Sequence, residues 1–117
     1  MQIFVLRLTL VTTCAVSTFV PLVSAAVIRV FVLYSDAPDP DRYEQHVELN
    51  RREVPTATIR HGRILGTPQG ESDIAYYFEY EFPDREAWKA AQDGLMKAAE
   101  DAQGLGVPFR VYFAEIE

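Results

Sequence analysis

One alternating segment near the middle of the chain constrains the fold more than any other feature. Every second side chain from Ile74 to Phe82 is apolar or aromatic, and the intervening side chains include Tyr77, Glu79 and Glu81. Because successive side chains of a strand point to opposite faces of a sheet, this segment predicts a strand with one apolar face and one mixed face. Such a strand belongs to a sheet that carries helices on one side only.

The residues before this segment predict two strands and a helix. The apolar run Val27–Tyr34 predicts the first strand. Apolar side chains recur at helical spacing over residues 40–54 and predict a first helix, which Asp39 can cap and Pro55 ends. Residues 56–65 favour the second strand.

The residues after it predict a second helix and a last strand. The helix begins after Pro83, and Gly94 is expected to split or kink it. Its predicted inward stripe consists of Trp88, Ala91, Leu95 and Ala99. Alternation from Val107 onward predicts the last strand. The order β-α-β-β-α-β predicts one ferredoxin-like α+β domain over residues 26–117, with a four-stranded antiparallel sheet and both helices on one face.

Composition fits one small domain and argues against several partners. The chain has 117 residues and a net charge of −6, which works against binding to nucleic acid or an anionic membrane surface. Its one cysteine, Cys14, allows no disulfide and no thiolate metal site in the folded part. No metal and no cofactor are predicted. A domain of this size gains burial by pairing with a second copy, so we expect a homodimer.

The first 25 residues have the pattern of a secretory signal peptide. Their only charge is Arg7, and an apolar run leads to the small residues Val23-Ser24-Ala25. The run is too short for a permanent membrane anchor. This pattern predicts export, to the periplasm or out of the cell. The alternative is that the true start is Val27, because a start codon can also encode valine, and that the protein is cytoplasmic.

Five short motifs, in order, resemble the EthD family. They are VIRVFVLY before an Asp/Pro loop, DRYEQH, RILGTPQGE, YEFPDREAWKAA and a final FAEIE, and together they cover essentially all of residues 27–117. The resemblance implies a dimeric α+β barrel, in which two four-stranded sheets face each other and enclose a pocket for a small molecule. It also implies an auxiliary or cofactor-free oxidoreductase or isomerase that acts on ethers or small aromatic compounds.

The chain departs from the family on the first helix. Where the family shows an aromatic residue and, four positions later, the histidine of a His-x-Pro-Leu signature, this chain has Val47 and Arg51. An arginine stays protonated at any working pH, so Arg51 can orient an anionic ligand but cannot transfer a proton. We therefore expect Arg51 to bind ligand.

The barrel-facing side of the sheet supplies the other predicted ligand-binding residues. The face opposite the helices carries Tyr77 and Glu79 on the third strand and Arg110 and Tyr112 on the fourth. The alternative for Glu79 and Arg110 is an ion pair at a dimer interface. Tyr34, at the end of the first strand, offers a hydroxyl to a ligand or closes the core.

Only two side chains in the chain have an ordinary pKa near neutrality. These are His46 and His61, and they are the candidates for acid–base catalysis. His46 is expected more often on the solvent side of the first helix than in a catalytic role. Neighbouring arginines would lower the pKa of His61, although an exposed, solvated histidine is the alternative.

Two functions of different classes follow from these residues. In the first, the protein is an enzyme in which tyrosines and an arginine polarise an oxygen atom of a small molecule. In the second, it is a carrier or binding module that uses the same pocket without proton transfer. The absence of the family's histidine favours the second.

Overall fold

The structure is a computed structural model that describes residues 26–117. The predicted signal peptide, residues 1–25, lies outside the described residues. Four strands and three helices occur in residues 26–117. In chain order they are β1 (Val27–Tyr34), α1 (Pro40–Glu53), β2 (Thr58–Arg63), β3 (Tyr76–Phe82), α2 (Arg85–Ala90), α3 (Gln92–Gln103) and β4 (Phe109–Ile116).

The four strands form one antiparallel sheet in the order β2-β3-β1-β4. In the central pair, Val30 lies opposite Tyr80 and Val32 lies opposite Phe78. All four side chains are buried, so the apolar face expected from the alternation of β3 is the face that the helices cover. The ferredoxin-like α+β fold is confirmed.

Local signals fix the ends of α1. The side chain of Asp39 accepts a hydrogen bond from the backbone N–H of Arg42 at 3.0 Å, which caps the first turn. Pro40 occupies the start of the helix, where its missing N–H costs nothing. The helix ends at Glu53, two residues before Pro55, as the sequence predicts.

The second helical segment divides at Ala91 and not at Gly94. Asp84 caps α2, which ends at Ala90, and α3 then runs without interruption through Gly94. Gly94 has a packing role, because a methyl group there would overlap the backbone carbonyl of Glu53 in α1. The buried stripe of α3 also differs from the prediction, since Ala98 and Ala102 are buried whereas Ala99 is exposed.

Helices cover one face of the sheet only. The other face, here called the open face, carries among others Phe31, Leu33, Tyr77, Glu79 and Tyr112. No described helix packs against it, and Tyr112 is 47% exposed. Within residues 26–117, no helix is long and apolar enough to cross a membrane.

The close contact at Gly94 generates a stability prediction. Alanine is normally the better helix former, but in Gly94→Ala the new methyl group must push α1 and α3 apart. We expect the free energy of unfolding to fall by about 1–3 kcal/mol. Glu100→Ala, at an exposed position of the same helix, should stay within about 0.5 kcal/mol of the parent. Urea unfolding measures both, and equal stabilities would contradict the packing role.

Candidate functional site

A cavity of about 200 Å³ lies between α3 and the helix-covered face of the sheet. The helix presents three alanines to this space, Ala98, Ala99 and Ala102, and the sheet presents Val30 and Val32. Small side chains on the helix leave room that leucine or phenylalanine would fill. The cavity therefore results directly from the alanine-rich sequence of α3.

The lining of this helix-side cavity is uncharged and mostly apolar. Its polar side chains are Tyr34, His46, Tyr80 and Gln92. Met96 and Phe113 also line it and are 64% and 62% exposed, so the cavity reaches solvent between α3 and β4. A ligand that enters there passes these two side chains before it reaches the inner end of the cavity, where the buried residues Tyr34, His46 and Tyr80 lie.

A chain of buried hydrogen bonds borders the inner end. The imidazole of His46 is 2% exposed, and its Nδ1 lies 2.7 Å from Oδ2 of Asp101. The side-chain amide of Asn50 donates to Nε2 of His46 at 3.1 Å and to its backbone carbonyl at 2.8 Å. The hydroxyl of Tyr80 donates to Oδ1 of Asn50. This pattern fits the tautomer with the proton on Nδ1, and both ring nitrogens of His46 are engaged.

The ionisation of this chain follows from burial and from Arg42. Burial lowers the pKa of His46, and the hydrogen bond to Asp101 offsets only part of that effect. Burial opposes ionisation of Asp101, but hydrogen bonds from Arg42 and His46 outweigh it and hold the pKa of Asp101 below its usual value. Arg42 donates to both carboxylate oxygens, at 2.8 and 3.2 Å. The pair is thus a carboxylate and a neutral imidazole.

Tyr34 lines the cavity and carries a buried hydroxyl without a hydrogen-bond partner in the described part of the chain. Its side chain is fully buried, and no described protein group lies within hydrogen-bond distance of its Oη. Burial raises the pKa of Tyr34 far above its usual value, and burial does the same for Tyr80. Both phenols stay protonated at physiological pH. Tyr34 belongs to the buried core, which is the alternative given for it above. Its hydroxyl can also donate a hydrogen bond to a ligand, and its ligand-binding role stays a prediction.

The residues predicted to line the barrel lie on the open face. Tyr77, Glu79, Arg110 and Tyr112 all project from that face, on the far side of the sheet from the cavity. Their ligand-binding roles stay predictions. The structure does not bring Glu79 and Arg110 together within one chain, because their positions belong to different cross-strand rows.

Glu79 has other partners. Its carboxylate lies 3.0 Å from Nη1 of Arg60 and 3.7 Å from Nε of Arg29. Glu81 is bound by the same two arginines, at 2.6 Å to Arg29 and 3.5 Å to Arg60. These four side chains, here called the quartet, compensate one another's charge at the centre of the open face.

The two histidines lie in different environments, and only that of His46 differs from the expected one. The solvent-facing position expected for His46 is wrong, because His46 shares the buried side of α1 with Tyr43 and Asn50. His61 is exposed, as the alternative had it. Burial of part of its ring lowers the pKa of His61, and Arg51 of α1 adds to this effect, whereas flanking arginines had been expected to do so.

His61 and Arg51 meet in a surface groove. This outer groove lies between α1 and β2, has a volume of about 670 Å³, and is lined by Tyr43, Arg63 and Tyr76 as well. Tyr43, which lines this groove, contacts Tyr34, which lines the helix-side cavity, edge to face with ring centroids 6.0 Å apart. Among residues 26–117, no three His, Cys, Asp or Glu side chains lie close enough together to hold a metal ion.

Sequence reasoning missed three members of the buried chain. Asn50 lies in the apolar stripe of α1, and a polar residue there needs a buried partner. That signal was readable in the sequence. Tyr80 and Asp101 carry no comparable signal, because Asp101 is separated from His46 by 55 positions and only the fold brings them together.

Three solved structures share the fold of this chain. An ethyl tert-butyl ether D (EthD) family protein from Bacillus halodurans is 22% identical with a TM-score of 0.63, over 78% of this chain and 99% of that one. A hydroxynitrile lyase from Passiflora edulis is 14% identical, with a TM-score of 0.61 and coverage of 78% and 94%. A dimeric ferredoxin-like protein of unknown function from Thermobifida fusca is 18% identical, with a TM-score of 0.56 and coverage of 80% and 93%.

These likenesses establish the fold. At such identities they show that the chain has an EthD-like ferredoxin fold, as the sequence motifs led us to expect. No protein-family model and no curated protein matches the chain.

The buried imidazole makes stability depend on pH. The pKa of His46 is lower in the folded state than its ordinary value of 6.5, so the unfolded chain binds a proton that the folded chain does not. The free energy of unfolding is therefore highest above about pH 6.5 and falls as the pH drops below it. Urea unfolding at pH 7.5, 6.0 and 5.0 should show this loss, and His46→Gln should flatten the curve.

The second histidine is the matched control. His61 is exposed, so His61→Gln should keep most of the pH dependence of the parent. If His61→Gln flattens the curve and His46→Gln does not, the assignment of the pH dependence to the buried chain is wrong.

Proposed function

We propose that the protein binds a small, neutral, largely apolar molecule in the helix-side cavity and holds it by one acceptor oxygen. The observation that carries this proposal is Tyr34, which lines the cavity and whose fully buried hydroxyl has no partner among the described residues. A buried hydroxyl without a partner costs about 1–3 kcal/mol, and a ligand that accepts its hydrogen bond recovers that free energy.

The lining selects against charged ligands. No Asp, Glu, Lys or Arg borders the cavity, and His46 is neutral. A carboxylate or an ammonium ion moved into such an environment loses its hydration without gaining a counter-charge. Ketones, esters, lactones and ethers carry an acceptor oxygen without a charge, and they therefore fit this site.

The names of two similar structures agree with this ligand class. One belongs to a family named for ethyl tert-butyl ether, and the other is a hydroxynitrile lyase. Both names concern small organic molecules that contain oxygen. They support the proposal by analogy of fold.

The geometry favours binding without turnover. Both nitrogens of His46 are engaged by Asp101 and Asn50, and burial keeps Tyr34 and Tyr80 protonated, so none of these groups is free to remove a proton. A carrier or binding module needs only the hydroxyl and the apolar walls.

An enzyme is the second candidate, and one observation supports it. The Asp101–His46 pair at 2.7 Å is an arrangement that catalysts use to orient an imidazole. Proton transfer at Nε2 would require Asn50 to move away first. In that case the protein would be a cofactor-free oxidoreductase or isomerase acting on ethers or small aromatic compounds.

Removal of the Tyr34 hydroxyl tests whether the helix-side cavity is the binding site. Acetophenone, an aromatic ketone, is the probe, and Tyr34→Phe should weaken its binding about fivefold, the effect of one neutral hydrogen bond. The same variant should be at least as stable as the parent without ligand, because it removes an unpartnered buried hydroxyl. Isothermal titration calorimetry and urea unfolding provide the two measurements.

Tyr77→Phe is the control on the open face. It should leave acetophenone binding unchanged if the helix-side cavity is the site. A loss of affinity in Tyr77→Phe alone would place the ligand on the barrel-facing side and would reject the helix-side cavity.

We also propose that two copies pair through their open faces. The similar Thermobifida fusca protein is described as dimeric. The open face combines apolar side chains such as Phe31, Leu33 and Tyr112 with the quartet, whose charges are already compensated within one chain. The quartet can be buried in this way without an unpaired charge, whereas Arg110, which has no carboxylate within 4.0 Å among the described residues of its own chain, would need a partner from the second copy or solvent at the rim.

Sedimentation velocity tests the pairing. We expect the parent to be a dimer at micromolar concentration and Tyr112→Arg to be monomeric, because the new guanidinium would have to be buried in the interface. Met96→Arg adds the same charge at an exposed position on α3 and should remain dimeric. A monomeric parent would reject the proposal.

A further inference from the structure

The outer groove has a charge pattern that sets it apart from the rest of the surface. Residues 26–117 contain eight arginines, and five of them, Arg29, Arg42, Arg52, Arg60 and Arg85, lie within 4.0 Å of a carboxylate. Two of the remaining three, Arg51 and Arg63, line the outer groove. In a chain with a net charge of −6, two arginines without a carboxylate partner in one groove indicate a site for an anion.

Aromatic rings form the base of the groove. The ring of Tyr43 contacts His61 and Tyr76, in each case with centroids 5.6 Å apart and planes close to perpendicular. The guanidinium carbon of Arg63 lies 6.0 Å from the centre of the Tyr76 ring. A flat apolar body can pack against these rings while a charged group reaches the arginines.

One residue that lines the groove, Tyr43, has a buried hydroxyl without a partner among the described residues. Tyr43 is 7% exposed, and its Oη has no hydrogen bond to any described protein group. Burial raises the pKa of Tyr43 well above its usual value, so the phenol remains a donor. This donor is distinct from Tyr34, which lines the helix-side cavity.

Two carboxylates limit the charge that the groove accepts. Glu44 and Glu48 of α1 line it as well, and neither lies within 4.0 Å of Arg51 or Arg63. His61 adds no charge at neutral pH, because its pKa is lowered. The two acids repel a ligand with several negative charges, so a single charge fits best.

We propose that the outer groove is a second ligand-binding site, which takes a small aromatic monocarboxylate. The carboxylate is held by the guanidinium groups of Arg51 and Arg63 and accepts a hydrogen bond from Tyr43. The aromatic ring packs against Tyr43 and Tyr76. This site selects for negative charge, whereas the helix-side cavity selects against it.

Calorimetric titration of the full chain with benzoate tests the proposal, with benzamide as an uncharged probe of the same shape. We expect benzoate to bind at least about tenfold more tightly than benzamide. Arg51→Gln should weaken benzoate binding by about tenfold. Arg52→Gln removes the same charge from the adjacent position, which does not line the groove, and should have little effect.

Two further variants probe the local chemistry. Glu48→Gln should strengthen benzoate binding, because it removes a repelling charge from the groove. Tyr43→Phe should weaken it about fivefold, through the loss of one hydrogen bond. Circular dichroism and thermal unfolding verify that each variant is folded, and Tyr43→Phe removes a hydroxyl that stabilises no described contact.

Three results would reject the outer groove as a ligand-binding site. Equal weakening by Arg51→Gln and Arg52→Gln would mean that benzoate responds to net charge only, and it would overturn the groove as a site. Equal affinities for benzamide and benzoate would also overturn it, because the proposed site recognises the carboxylate charge. If Tyr34→Phe weakened benzoate binding and Tyr43→Phe did not, benzoate would occupy the helix-side cavity, and the second site would be rejected.

Discussion

The carboxylate of Asp101 is the interaction on which the arrangement of the helices depends. It accepts hydrogen bonds from Arg42 and His46 of α1, and it therefore ties α3 to α1. Through Asn50 and Tyr80 the same chain continues to the sheet. Each link satisfies a polar group that would otherwise be buried at a cost of about 1–3 kcal/mol. These directional hydrogen bonds hold the helices in place on the sheet. The helix-side cavity can therefore persist beside the small alanine side chains of α3, where apolar packing alone would draw the helix onto the sheet.

The chain separates three kinds of surface by their charge. On the open face, the arginines and glutamates of the quartet compensate one another, so Glu79, which is only 8% exposed, is buried together with opposite charges. The helix-side cavity has no charged lining. The outer groove retains Arg51 and Arg63 without carboxylate partners among the described residues. These differences match the three proposed contacts, which are with a second copy of the chain, with a neutral molecule and with an anion. The net charge of −6 by itself predicts none of these three contacts.

The sequence was sufficient for the fold because the fold depends on local patterns. Alternation located the strands and assigned their faces, and caps and prolines located the ends of α1. Contacts between residues far apart in the sequence could not be predicted from these local patterns. Gly94 looked like a helix breaker, but its role is to admit the backbone of α1, and the break falls at Ala91 instead. His46 lies at helical spacing from Tyr43 and Asn50, so its burial was encoded locally, but its partner Asp101 was not. The helix-side cavity was not expected, since a void depends on which side chains are small across two packed elements, and the pocket on the open face stays a prediction.

The two proposed sites share a wall, and the nature of that wall determines how far they can act separately. Tyr34 faces the cavity, Tyr43 faces the groove, and their rings meet edge to face with centroids 6.0 Å apart. The wall consists of the rings, whereas each proposed ligand accepts a hydrogen bond from one hydroxyl, to which Arg51 and Arg63 add their charge in the groove. Removing a hydroxyl therefore leaves the wall in place and changes one site only. Any coupling between the sites must pass through a displacement of the rings, which the close packing around Phe78 and His46 resists.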